Sequence, residues 1–285
     1  MKSRFQVYSC ISLFSLAVLA SCGKNRDKVD DTLTQTEAAS NNAFAEAQYN
    51  DVTTLVDQSA RNGSALFGAA GTGSGSGIGS LLNGCGTLTM DTTSVPRSIT
   101  IDFGANNCLC LDGRNRRGKI MATYTGKYTD QGTTITISFD NYYVNDNKIA
   151  GTKQVINQGN NGAGNLVYKI IVDGSIVKAN NMGTISWVST RYREWKEGYN
   201  TPLNILDDVY SITGDASGTT RLGRPYTITI ANALVRKMNC RWFESGVLTL
   251  SMNALPDISL DYGTSGCDAN ATINILGQAY PVILQ

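Results

Sequence analysis

Histidine is absent from all 285 residues. Its absence removes Ser-His-Asp and Cys-His nucleophiles, histidine-based zinc sites and the commonest general base near neutral pH. Excess charge is missing too, since 24 Lys and Arg face 23 Asp and Glu for a net charge of +1. That balance gives no electrostatic footprint for nucleic acid, and no nucleic-acid partner is expected. Metal-site spacing is also lacking. Cys108-x-Cys110 has no second cysteine pair at finger spacing, and Asp207, Asp208 and Asp215, or Asn145, Asp146 and Asn147, follow no calcium-loop pattern. Neither a metal nor a cofactor is expected.

Apolar runs are short as well. Lys2 and Arg4 precede an apolar stretch from Val7 to Ala20, too short for a bilayer-spanning helix of about 20 residues but suited to a signal peptide. The stretch ends in Leu19-Ala20-Ser21-Cys22, which resembles the lipobox of bacterial lipoproteins. The resemblance covers residues 1–23. It implies a signal peptide over 1–21, a diacylglycerol on the Cys22 sulfur, cleavage before Cys22 and acylation of the new amine. Several acyl chains, at about 0.8 kcal/mol per buried CH₂, then hold the protein to a membrane. Gly23 follows, where an aspartate would signal inner-membrane retention, so the expected location is the outer membrane, on either leaflet. Losing Lys2 and Arg4 takes the net charge from +1 to −1.

Beyond the leader, residues 22–32 are polar and charged and read as a solvated tether. Over 33–61 Ala45, Tyr49, Val52, Leu55 and Val56 recur near a 3.6-residue period, which predicts one amphipathic helix lying against a sheet or docking a partner. Residues 62–84 are dense in Gly, Ser and Ala and read as a linker. From residue 85 to 285 the pattern is β. Ile135, Ile137 and Phe139 alternate with Thr134, Thr136 and Ser138, and polar turns such as Asp130-Gln131-Gly132 separate such runs. The expected fold is all-β, mainly antiparallel, a sandwich or open barrel, plus the N-terminal helix.

One unit occurs twice. Thr87-Leu88-Thr89-Met90, Pro96, Ile99 to Gly104 and Cys108 are echoed by Val247-Leu248-Thr249-Leu250, Pro256, Ile258 to Gly263 and Cys267. An internal duplication, with related motifs at 85–110 and 240–267, accounts for the echo. The simplest pairing is then Cys85 with Cys108 and Cys240 with Cys267, each closing a loop of about 25 residues worth roughly 3 kcal/mol. Cys110 is left over, or competes with Cys108 for Cys85.

Two segments could bind a ligand. Arg114, Arg116, Arg117 and Lys119 crowd one turn-like stretch and could hold phosphate or carboxylate groups in bidentate fashion. Gly113, Gly118 and Lys119 match P-loop spacing, but Ile120 stands where the magnesium-binding Ser or Thr belongs. Trp187, Arg191, Tyr192 and Trp195 place rings beside guanidinium groups, as sugar platforms do, although packing inside a sheet needs the same residues. Asp102 and Asp261, at matching points of the repeat, are either turn caps or a glycosidase-like pair.

In general appearance the chain resembles secreted lipoproteins of the Bacteroidota type. The leading expectation is an envelope lipoprotein that binds a glycan or lipopolysaccharide without catalysis. A structural or assembly component with a protein partner comes second, and a hydrolase third. A concave surface carrying Trp187, Trp195 and Arg116 would favour the binder.

Overall fold

The computed structural model describes residues 19–62, 85–201, 204–264 and 266–284, with side chains of the first segment described from Asp31 to Asp57 and at Ser59. The signal-peptide reading over 1–18 and the linker reading over 63–84 lie outside the described residues.

Among the described residues one α-helix, α1 (Leu19–Asn62), precedes fourteen strands. In chain order these are β1 (Thr87–Asp91), β2 (Arg97–Asp102), β3 (Cys108–Leu109), β4 (Asn115–Tyr124), β5 (Thr134–Val144), β6 (Asn147–Asn160) and β7 (Leu166–Val177). There follow β8 (Thr184–Glu197), β9 (Val209–Thr219), β10 (Pro225–Lys237), β11 (Ser245–Met252), β12 (Ile258–Asp261), β13 (Asn270–Ile275) and β14 (Gln278–Ile283). Every pairing is antiparallel, and strands follow one another across one sheet from β1 to β14, with β3 set aside against β4. The sheet is open, with β1 and β14 as its edges.

Alternation explains the strands. In β7, Leu166, Tyr168, Ile170, Val172 and Ile176 are buried between half-buried or exposed neighbours, a period of two that commits one face to the core. So many twisted strands cannot stay flat. Register shifts in β4, β5, β6, β8, β9 and β10 add local bends. Gly118 sits at one of them, with positive φ, where a Cβ would strike the Asn141 carbonyl.

The curled sheet surrounds α1. Among its described side chains only Leu33 and Ser40 are exposed. Its polar groups reach β4, β6, β7 and β8, and the β9–β10 and β11–β12 turns, and its apolar residues join one continuous core with those of β1 to β13. The fold is therefore an open, barrel-like sheet around a helix, not a sandwich of two sheets. One side of the helix is more open than the rest, since the less buried Leu33, Glu37, Ser40, Phe44, Ala47, Asp51 and Thr54 recur every three or four residues. Small Ala38, Ala39 and Ala45 let strands approach closely, and buried Asn42 and Glu46 bond Trp187 and Arg191. It begins earlier than expected, at Leu19, so residues 22–32 are helical and lead directly into the core.

Because the strands run antiparallel in chain order, successive turns fall at alternate ends of the sheet. The β5–β6, β7–β8, β9–β10, β11–β12 and β13–β14 turns share one end with the connection from β2 to β4. Here Arg221 N–H donates to Glu37 (2.8 Å), Gln35 Nε2 donates to the Pro256 carbonyl (2.6 Å), and Arg224 lies 3.5 Å from Asp31. The helix enters the sheet at this proximal end.

The repeated unit is visible in the strands. Leu88 opposes Ile101 in β1 and β2, and Leu248 opposes Leu260 in β11 and β12. Disulfides join Cys85 to Cys108 and Cys240 to Cys267. Cys110 is a buried free thiol.

Candidate functional site

The concave face anticipated for a ligand exists, and α1 occupies it. Arg116 is fully buried, with Nη1 and Nη2 donating to both Asp112 oxygens (2.8 and 2.6 Å) and Nη2 also to Asp51 of the helix (2.8 Å). Arg114 pairs with the same Asp51 oxygen at 2.8 Å. Burial opposes the Arg116 charge, but the bond to Asp112 and the nearby Asp51 outweigh it and hold the guanidinium charged. Burial likewise opposes ionisation of Asp112, yet Arg116 keeps its pKa below the usual carboxylate value.

Arg191 repeats the arrangement along β8. Its Nε and Nη2 donate to the two oxygens of Glu46 (3.1 and 3.0 Å), and Nη1 donates to the Gly214 carbonyl (3.0 Å). Charge-assisted bidentate pairs of this kind are the strong ones. Two turns apart on the same helix, Asn42 accepts from Trp187 Nε1 (2.9 Å), and Tyr49 stacks on the Trp187 ring at 5.7 Å. Trp195 is buried and donates to Asp208 at 3.2 Å. Five candidate residues, Arg114, Arg116, Trp187, Arg191 and Trp195, thus face the interior, where they hold the helix or its surroundings. They do not form an exposed sugar platform.

The others stay outside and apart. Arg117 bonds Asp146 and donates to Asn107 Oδ1 (2.7 Å), with its guanidinium 3.8 Å from the Tyr143 ring centre. Lys119 pairs with Asp102 at 2.9 Å, and Tyr192 is exposed on the convex face of β8. Neither repeat aspartate is placed for acid–base work. Asp102 and Asp261 each cap a turn, accepting from Gly104 N–H (2.9 Å) and Gly263 N–H (2.8 Å). The Lys119 contact and the Gly104 N–H lower the Asp102 pKa further. Among the described residues no group of three or more Cys, Asp or Glu is arranged to hold a metal.

Several interior residues escape a reading by motif. Lys153 is buried, and its Nζ donates to the Tyr49 carbonyl (2.8 Å). Arg193 bonds the Tyr128 hydroxyl, with its guanidinium 4.4 Å from the Tyr210 ring centre. The strand parity of β8 carried the signal: Ile185, Trp187, Ser189, Arg191, Arg193 and Trp195 share one face and are all buried.

Open space remains beside the helix. Ala39, Ala43 and Phe44 of α1, with Leu260, Ile273 and Val282, line an apolar cleft of about 200 Å³ whose rim carries Lys178 and Met182. It adjoins a second hollow of about 340 Å³, which shares Lys178 and Met182 and adds Glu37, Asn41 and Arg221. Lys178 Nζ sits 5.6 Å from the Phe44 ring centre and 3.5 Å from Asn41 Oδ1. Between Tyr124, Tyr128 and Val56 a further cavity of about 20 Å³ has room for only about one water.

No protein-family model matches the chain, and no curated protein or solved structure is significantly similar to it.

Proposed function

We propose that the chain is a lipid-anchored, non-catalytic binding protein of the cell envelope, at the outer membrane, and that its ligand is lipopolysaccharide or a related anionic glycolipid. One observation carries the reading: the cleft beside α1 joins an apolar floor to a rim bearing Lys178 and Arg221. Apolar lining with a few placed polar groups is the usual make-up of a ligand site. An amphiphile with acyl chains and phosphate groups matches both parts. The interior arginines and tryptophans play no direct part, because the helix holds them.

The test is lipopolysaccharide binding by calorimetry. Lys178→Glu with Arg221→Glu is expected to weaken binding at least tenfold while both disulfides still form. Unchanged affinity, or no binding by the unaltered protein, rejects the reading.

A structural or assembly role is the second reading, and a different observation favours it. The segment with Cys22 is continuous with the core helix, so membrane anchor and β domain form one mechanical body suited to bracing a protein partner. A photo-crosslinker at Ser40, exposed in the cleft, would label a protein under this reading and glycolipid under the first.

A further inference from the structure

We propose that the junction of the β2–β4 connection with the β10–β11 hairpin is a binding site for a phosphate dianion. The curl of the sheet carries the β2–β4 connection along α1 as far as Asp51, which pairs with Arg114 and Arg116 at 2.8 Å. That point lies 20 helical residues beyond Asp31, about 30 Å at 1.5 Å per residue. There it meets the β10–β11 hairpin, whose Arg236 and Arg241 sense the charges of Arg114 and Asp51.

Four guanidinium groups gather here, from Arg114, Arg116, Arg236 and Arg241, against the two carboxylates of Asp51 and Asp112. Lys237 and Glu244 neutralise each other at 2.9 Å, so two positive charges are left over. They belong to Arg236 and Arg241, since among the described residues neither has a carboxylate in ion-pair contact. Arg236 follows Leu234 on the inner face of β10 and stands opposite Tyr210; its Nη1 donates to the Arg241 carbonyl. Burial lowers its pKa to about 10, with Arg114, Arg193 and Arg241 adding to this and Asp51 only partly opposing. A charge held against desolvation without a counter-charge is what an anion completes.

Unused donors point the same way. Arg114 Nη1, close to Asp51 but outside hydrogen-bond geometry, and Arg116 Nε are both buried without an acceptor. The surplus selects the ligand: hydrogen phosphate brings two charges where a carboxylate brings one, and guanidinium forks suit its oxygens. Arg241 is exposed and lies 4.6 Å from the Trp242 ring centre, so the group opens to solvent with its outer arginine oriented. Both arms are fixed beforehand. Cys85–Cys108 pins the first and Cys240–Cys267 the second, and preorganised donors bind at lower entropic cost. The site is separate from the cleft beside Lys178 and Arg221, and either can fail alone.

The full chain is titrated by calorimetry with sodium phosphate and with glucose 1-phosphate, in chloride at constant ionic strength and about pH 8, where phosphate is mostly dianionic. One saturable site is expected. Arg236→Gln with Arg241→Gln should weaken phosphate binding at least tenfold, whereas Lys127→Gln with Lys169→Gln, which removes the same charge elsewhere, should leave it unchanged. Phosphate should also raise the thermal midpoint of the parent and of the lysine variant but not of the arginine variant, whose own midpoint in chloride reports that it is folded. Tighter binding of glucose 1-phosphate assigns the anion to a phosphorylated sugar and tighter binding of phosphate to the free ion; either supports the site. No saturable binding of either compound, or equal losses in the two variants, overturns it.

Discussion

At the scale of single residues, the interior is organised by charges that each have a named partner. Glu46 and Arg191 are both almost fully buried, so removing one leaves the other without compensation. Glu46→Ala should cost about 3–5 kcal/mol in urea unfolding, whereas Glu46→Leu with Arg191→Leu should lie much closer to the parent. Lys153 is different, because its main partner is a neutral carbonyl. Burial, with Arg193 nearby, lowers its pKa from 10.5 to about 7, and Glu46 only partly opposes this. The unfolded chain therefore binds more protons between these values, and stability should rise with pH from about 7 to 9, below the range where unfolded tyrosines ionise. Lys153→Met should remove that slope and stabilise the fold at pH 7 by about 1–3 kcal/mol. A parent protein whose stability falls over this interval would contradict the assignment. Cys110 is likewise buried, and burial raises its thiol pKa. It should resist thiol reagents until the chain unfolds.

At the scale of elements, the helix is seated by close fits as well as by charge. Tyr49 donates from its hydroxyl to the Ala150 carbonyl (2.7 Å), and its ring occupies the space that a side chain at Gly174 would need, since a Cβ there would fall 1.9 Å from the hydroxyl. Gly174→Ala should therefore destabilise by more than about 2 kcal/mol. Combined with Tyr49→Leu the loss should be clearly less than the sum of the two, because both act on one contact. The two disulfide-bearing hairpins were legible from the repeat alone, because Cys108 and Cys267 stand equally far beyond matching glycines. Strand alternation was legible for the same kind of reason: a period of two records burial directly. What the pattern does not record is the material filling the concave side. Arg116, Trp187 and Arg191 stood out as binding groups because charged and aromatic residues usually find partners outside. Here Asp51, Asn42 and Glu46, more than 60 residues away in sequence, supply those partners. Local sequence carries no trace of such pairing.

At the scale of the whole molecule, the order of helix, glycine-rich segment and sheet takes on a new meaning. The glycine-rich segment over 63–84 connects α1 to β1, so it follows the helix in the chain and does not precede it. The helix is at once the route from Cys22 and the filling of the sheet. The cleft lies near the point where it enters. The account stands or falls on whether α1 is inside the sheet as part of one cooperative unit. Native-state hydrogen exchange measures this directly. The predicted result is that amides of residues 45–56 exchange only through global unfolding, with the same opening free energy as central strands β7 and β8. Exchange of the helix faster by two or more orders of magnitude, with the strands still protected, would contradict it.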